Sequence, residues 1–165
     1  MQKRILSLLV DNTSGVLSRI AGLFSRRGYN IDSITAGVTA DENFTRITVV
    51  CSGDDAILEQ ITKQLSKLVD VRDIKVLDPD NSVVRETVLI KVAAKPETRE
   101  GILSTVGIFR AHVVDVARDS LIIEMTGGKS KLESFISLMR DYEILELARA
   151  GITGLSRGSA DVRYF

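Results

Sequence analysis

Ile5-Leu6-Ser7-Leu8-Leu9-Val10-Asp11-Asn12-Thr13-Ser14-Gly15-Val16-Leu17 is the stretch that decides the fold. Ile5 to Val10 is a short, nearly continuous apolar run of strand type, and Asp11 to Gly15 is a turn signal that ends it. Val16, Leu17, Ile20, Leu23 and Phe24 then recur at helical spacing. Ser14 is suited to cap that helix, and Gly28 supplies a left-handed stop.

Outward from this opening, Ile31 to Val38 and Phe44 to Cys51 are two β-type runs, and the polar link Thr39 to Asn43 suits a hairpin between them. Ile57, Leu58, Ile61, Leu65 and Leu68 mark a second helix opened by Asp54, and Val71 to Leu77 closes the unit as a fourth strand. The order is βαββαβ. After Asp78-Pro79-Asp80-Asn81-Ser82 the pattern begins again, with Val88, Ile90 and Val92 alternating against Thr87, Leu89 and Lys91. Helical stripes at Ile102, Leu103, Val106 and Phe109 and at Leu132, Phe135, Ile136 and Met139 enclose strands at Val113 to Val116 and Leu121 to Met125, and Ile144 to Ala148 is the last strand. Gly107-Ile108-Phe109 echoes Gly22-Leu23-Phe24 at an offset of 85 residues.

The predicted fold class is therefore α+β: two ferredoxin-like βαββαβ sandwiches in tandem, each with both helices on one face of an antiparallel sheet. The expected domains are residues 1–78 and 83–165, with 79–82 as linker. This geometry leaves one sheet face and one edge uncovered. Leu6, Leu8, Leu9 and Leu89 are accordingly expected to bury those surfaces against another copy or another subunit.

Composition narrows the function. The 165 residues are 44% hydrophobic and 27% charged, the balance of an ordinary folded protein. Lys plus Arg number 22 and Asp plus Glu number 22, so no net field attracts DNA or an anionic membrane. The single cysteine, Cys51, lies in an apolar alternating run and reads as a small buried hydrophobe. The first ten residues are too briefly apolar for a signal peptide, and no run approaches the roughly 18 apolar residues that cross a bilayer. A cytoplasmic location is expected.

Catalytic constellations are wanting. The one histidine, His112, opens an apolar run with only Asp115 as a sequence-local acid, which is the position of a strand-end residue. Gly127-Gly128-Lys129-Ser130 resembles the end of a phosphate-binding loop, but Ile123 stands where that loop needs its first glycine, so the run is expected to turn the chain into its fourth helix. RNA-binding domains of this fold type stack bases on aromatic residues of the central strands; here aromatics are 5%, and Phe44, Phe109 and Phe135 fall at a strand start or on helical core stripes. No metal site and no cofactor are expected in this chain.

What remains is the turn itself. The first turn of a helix has free N–H groups and a partial positive charge, which suit a carboxylate, and Gly15 permits close approach because it has no side chain. An amino acid held by its acid end would present an ammonium, for which Asn12 and Asn30, in the loops flanking the first helix, offer amide oxygens. Ordinary capping and turn roles account for the same residues.

The segments Leu9 to Arg19 and Gly22 to Ser33 closely resemble the regulatory small subunit family of acetohydroxyacid synthase (acetolactate synthase). The likeness continues through Leu58 to Leu65, Lys67 to Val71, Arg85-Glu86, Ile108 to Arg110, Val114 to Val116 and Gly151 to Gly158, and so covers nearly the whole chain; Asp161 to Phe165 match no motif. The resemblance implies that the first unit is an ACT domain, that two such domains pair side by side as a homodimer, and that valine or a related branched-chain amino acid binds at their interface. It implies contacts from Asn12, Gly15, Asn30 and Ile31, with Val16 and Leu17 supplying backbone N–H groups. It also implies a catalytic large subunit carrying thiamine diphosphate, FAD and magnesium, which this chain activates and makes sensitive to feedback inhibition. A transcription factor using a similar ligand domain should carry a helix-turn-helix and a basic stripe, and neither is apparent. An enzyme on this fold lacks a residue set that supplies chemistry.

Overall fold

The computed structural model describes residues 1–160. Its contacts divide it into two compact units, one of Met1–Val83 together with residues 152–160, the other Val84–Gly151.

In the first unit, β1 (Gln2–Asp11), α1 (Val16–Arg27), β2 (Asn30–Val38), β3 (Phe44–Gly53), α2 (Asp55–Leu65) and β4 (Val71–Leu77) follow in the predicted order. The sheet order is β2-β3-β1-β4, all neighbours antiparallel. Alternation along β1 sends Leu6, Leu8 and Val10 toward the helices, where they join Ile47, Val49 and Cys51 of β3, Ile20 and Phe24 of α1, and Leu58, Ile61 and Leu65 of α2 in one core. Cys51 is buried there, as a small apolar side chain in that row should be.

The second unit repeats the plan with β5 (Ser82–Ala93), α3 (Pro96–Phe109), β6 (His112–Val116), β7 (Ser120–Gly127), α4 (Lys129–Met139) and β8 (Ile144–Arg149), in the sheet order β6-β7-β5-β8. Val88, Ile90 and Val92 of β5 pack with Ile102 and Val106 of α3 and with Leu132, Phe135 and Met139 of α4. The rings of Phe109 and Phe135 meet at 5.3 Å, tilted by 57°. Both units are thus ferredoxin-like sandwiches. His112 is the exposed first residue of β6, and Gly128, in extended conformation, turns the chain into α4 as expected.

Three expectations need correction. The chain from Ile152, which was assigned to the C-terminal domain, belongs to the first unit. The Thr35 hydroxyl donates to the Ile152 carbonyl at 2.7 Å, the Ile152 N–H reaches Ser33 Oγ, and the Arg157 N–H donates to the Asn81 carbonyl at 2.9 Å. A short strand that the sequence did not announce, β9 (Thr153–Ser156), lies in this segment. The last five residues of the predicted domain, 161–165, lie outside the described residues.

The second correction follows from the first. Ser33 and Thr35 pair with Val50 and Thr48 of β3, and Thr48 pairs with Ser7 of β1, so the Ile152 segment lies on the sheet face turned away from the helices. Leu6 and Leu8 face the helical core, and Leu9, on the other face, is only 1% exposed in the single chain. None of the three awaits another copy. Leu89, at 42% exposed, is the one residue of that set left open.

The third correction is at the start of α1. Its N-cap is Gly15, not Ser14, because the chain enters the helix through a left-handed residue (φ 84°) and so leaves Ser14 one position outside. The predicted stop holds: Gly28 is left-handed at φ 66°, and the Tyr29 N–H donates to the Phe24 carbonyl. Among the described residues no helix is long and apolar enough to cross a membrane.

Candidate functional site

The turn from Asp11 to Gly15 is tied down on two sides. Toward β4, the Asp11 N–H donates to the Asp70 carbonyl, and its carboxylate takes both Nε and Nη2 of Arg72 at 2.6 Å. That pairing holds the Asp11 carboxyl below its usual range. Toward the β2–β3 hairpin, the Asn12 N–H donates to the Asn43 carbonyl at 2.8 Å.

The Asn12 side chain continues the second tie. Its Nδ2 donates to the Glu42 carbonyl at 2.8 Å, and its Oδ1 accepts from the Thr45 hydroxyl at 3.0 Å. One amide hydrogen and one lone pair are left over. Asn12 is therefore a weaker ammonium acceptor than the sequence implied, and its remaining N–H is suited to a carboxylate. An open crevice of about 490 Å³ adjoins it, lined by Asp11, Thr13, Glu42, Asn43, Phe44 and Arg72. The crevice does not reach Gly15, Val16 or Leu17.

The two helices of this unit begin differently. At α2, the Asp54 carboxylate accepts from the Ile57 N–H at 2.8 Å, the usual way an orphan donor is satisfied. At α1, Gly15 brings no side chain, and no capping hydrogen bond replaces it. The N–H groups of Val16 and Leu17 belong to that uncapped turn. The Val16 side chain is buried in the core while that of Leu17 is exposed. Arg19 folds back over the turn: it pairs with Asp70, and a Cβ on Gly15 would stand 2.9 Å from its Nη1.

Asn30 opens β2 and is exposed, while Ile31 is half-buried and packs on the core. Asn30 Nδ2 donates to Asp32 Oδ1 at 2.6 Å. Asp32 also accepts from the Ser52 hydroxyl at 3.1 Å and pairs with Lys3 Nζ at 2.8 Å. The Lys3 ammonium is the main reason its carboxyl is held below the usual range. The sequence missed this cluster. An Asn-x-Asp pair on a strand, where alternate residues share a face, is the signal that could have found it.

Within one chain the two asparagines do not meet. Asn30 is level with Ser52, which pairs with Lys3, whereas Asn12 follows Asp11 at the far end of β1. At about 3.3 Å per residue the two ends are roughly 30 Å apart. Asn12, Gly15, Val16 and Leu17 thus lie toward one end of the first unit's sheet, and Asn30 and Ile31 toward the other. Among the described residues no group of three or more His, Cys, Asp and Glu side chains is placed to hold a metal ion.

Comparison with known proteins bears on both units. A family model described as an AHAS small subunit-like ACT domain matches residues 6–73, and one described as the small subunit of acetolactate synthase matches residues 85–158. The chain is 50% identical over 158 residues to a probable acetolactate synthase small subunit of Archaeoglobus fulgidus, covering 95% of this chain and 98% of that protein. It is 44% identical over 162 residues to the acetolactate synthase isozyme 3 small subunit of Salmonella typhimurium, covering 98% and 99%. The crystal structure of an acetolactate synthase small subunit from Thermotoga maritima matches with a TM-score of 0.90 at 41% identity, over 97% of this chain and all of that one. Family models across both units, relatives near half identical almost end to end and a solved structure of the same architecture lead to one statement: the chain belongs to the family of acetolactate synthase small subunits, and its first unit is an ACT domain.

Proposed function

We propose that this chain is the regulatory subunit of acetohydroxyacid synthase, that it activates a catalytic large subunit, and that it confers feedback inhibition by valine or another branched-chain amino acid. The observation that carries the proposal is the uncapped, glycine-led start of α1 beside Asn12, set against the side-chain cap of α2. Bare N–H groups at a helix start favour a carboxylate, and each charge-assisted hydrogen bond contributes on the order of 1.5–3 kcal/mol.

The second half of the site comes from a second copy. β2 is an edge strand, with Ile34 at 38% and Val38 at 57% exposed and the exposed Leu17 on α1 of the same unit. An exposed apolar edge calls for a partner. If two β2 strands pair antiparallel about Ile34, Asn30 of the partner subunit lies opposite Val38. Val38 pairs with Thr45, the residue that holds Asn12. That register brings the partner's Asn30 within about two strand spacings, near 10 Å, of Thr45, and in this reading the ligand carboxylate lies toward α1 and its ammonium toward the partner's Asn30.

Regulation follows from linkage. Valine shifts the complex toward its less active state only by the difference in its affinity for the two states, and any factor by which valine changes the binding of the catalytic subunit is the factor by which that subunit changes the binding of valine. The cofactors of the reaction, thiamine diphosphate, FAD and magnesium, belong to that partner in this reading, and this chain contributes binding and coupling alone.

The test is calorimetry of the full chain with valine, leucine and isoleucine, together with identification of what co-purifies with a tagged chain from its own host. Saturable heat with one of the three, and recovery of a thiamine-dependent synthase, are expected. Absence of heat with all three removes the sensing role, and recovery of no synthase removes the activating one.

A further inference from the structure

The geometry points to Asp32 as a positioning residue that fixes which end of the Asn30 amide faces the ligand, so that this half of the site selects an α-ammonium group. The inference rests on the binding role of Asn30 proposed above and adds to it the device that gives the site its polarity.

An asparagine amide has a donating and an accepting end, and by itself it welcomes a carboxylate as readily as an ammonium. Asp32 removes that ambiguity. Its Oδ1 stands 2.6 Å from Asn30 Nδ2. An ionised carboxylate only accepts, so turning the amide over would set two oxygens against each other at that distance. Asn30 Oδ1 is thereby sent outward, and among the described residues nothing donates to it.

Asp32 is itself held firmly enough to do this. Lys3 Nζ sits 2.8 Å from Oδ2, the Ser52 hydroxyl donates to Oδ1, and the Asp32 side chain is only 18% exposed. Lys3 holds the carboxyl below its usual range, so the acceptor-only form is the one present at neutral pH. Asn12 presents the opposite polarity: its oxygen already takes the Thr45 hydroxyl and its free N–H suits a carboxylate. The two asparagines are thus set, one as donor and one as acceptor, to read a zwitterion in a single direction.

The fold supplies an internal comparison. Asp32 occupies a bulge in β2: Ile31 pairs with Cys51 and Ser33 with Val50, leaving Asp32 without an opposite residue. Bulges re-aim side chains and are frequent beside functional sites. The second unit has the same bulge in β6, where Val113 pairs with Ile123 and Asp115 with Ile122, and there the extra residue is Val114, preceded by His112 at the place of Asn30. The bulge therefore belongs to the backbone plan and forms without a carboxylate. The Asp32 cluster is an addition made only where the ligand is expected.

The test compares the full-length parent with Asp32→Val, which installs what the second unit carries, in titrations followed by NMR. The ligands are valine and 3-methylbutanoate, which has the same carboxylate and branched chain but no ammonium. The parent is expected to bind valine more tightly by at least tenfold. In the variant, valine affinity should fall by ten- to a hundredfold while 3-methylbutanoate affinity stays within about twofold, so that the preference collapses. Valine affinity within threefold of the parent overturns the assignment, as does a parallel loss of both ligands with an unchanged thermal unfolding profile. A parent that binds no branched-chain amino acid at all fails earlier, at the proposed function, and takes this inference with it.

Discussion

Gly15→Ala probes the left-handed entry to α1. At φ 84° the residue is left-handed, a conformation that costs an L-residue roughly 1–2 kcal/mol. The new methyl would lie 2.9 Å from Arg19 Nη1, the far end of a flexible side chain that can move aside at the expense of its pairing with Asp70. Arg19 is half exposed, so that pairing contributes about 0–1 kcal/mol. Against these stands a gain of about 0.4–1 kcal/mol from the less flexible unfolded chain. The net expectation is a loss of about 1–2 kcal/mol confined to the first unit. Scanning calorimetry of the full chain is the assay, with Gly107→Ala as control. Gly107 lies within α3 with nothing within 4 Å of an added Cβ, so alanine there should stabilise by about 0.5–1 kcal/mol. If Gly15→Ala matched or exceeded the parent while the control behaved as stated, the left-handed entry to α1 would be wrong, and with it the argument for a bare first turn.

Asn12→Ala removes the bonds to Glu42 and Thr45 and should lower valine affinity at least tenfold in calorimetry, with about 1 kcal/mol of stability lost from an exposed position; unchanged affinity would remove Asn12 from the site. Arg149→Met strands Glu86, whose side chain is only 10% exposed and whose partner is the Arg149 Nε at 2.7 Å, and should destabilise the second unit by about 2–3 kcal/mol in denaturant melts, part of it recovered by adding Glu86→Leu. Burial pushes the Cys51 thiol up, so a colourless thiol reagent such as the Ellman disulfide should develop its signal only as the chain unfolds; rapid labelling of the native protein would contradict the packing of β3. Because Arg72 depresses the folded-state value of Asp11, that pair stabilises fully above the ordinary aspartate value near 3.8 and ceases to as pH falls through the lower folded value. Arg72→Gln should therefore be less stable than the parent at pH 7, and the gap should shrink toward pH 2; a gap independent of pH would refute the pairing.

The element order was legible in the sequence because strand and helix stripes in this chain keep clean periods. Val71 to Leu77 was read to the residue, and the caps at Asp54 and Gly28 are where their chemistry put them. What escaped is what depends on distant residues. Ser14 looked like a cap because serine is a good one, and only the left-handed φ of Gly15 reveals that the helix begins a residue later. β9 is four residues long and borders a glycine-rich stretch, and its strand character comes from its neighbours. At the site, the residue types were legible and the geometry was not. Asn12 and Asn30 flank one helix in sequence, yet the register of β1, β2 and β3 sends them to opposite ends of the sheet.

The return of the chain at Ile152 has a consequence for biosynthesis. Since the first unit draws on residues before Val84 and after Gly151, the second is topologically an insertion within it. On the ribosome the N-terminal sheet emerges early, but one of its faces must wait for some seventy further residues, long enough for the inserted unit to fold first. A nascent chain stalled near Gly151 would lack the segment that bonds to Ser33 and Thr35, and truncation there should be felt most by the half of the molecule farthest away in sequence.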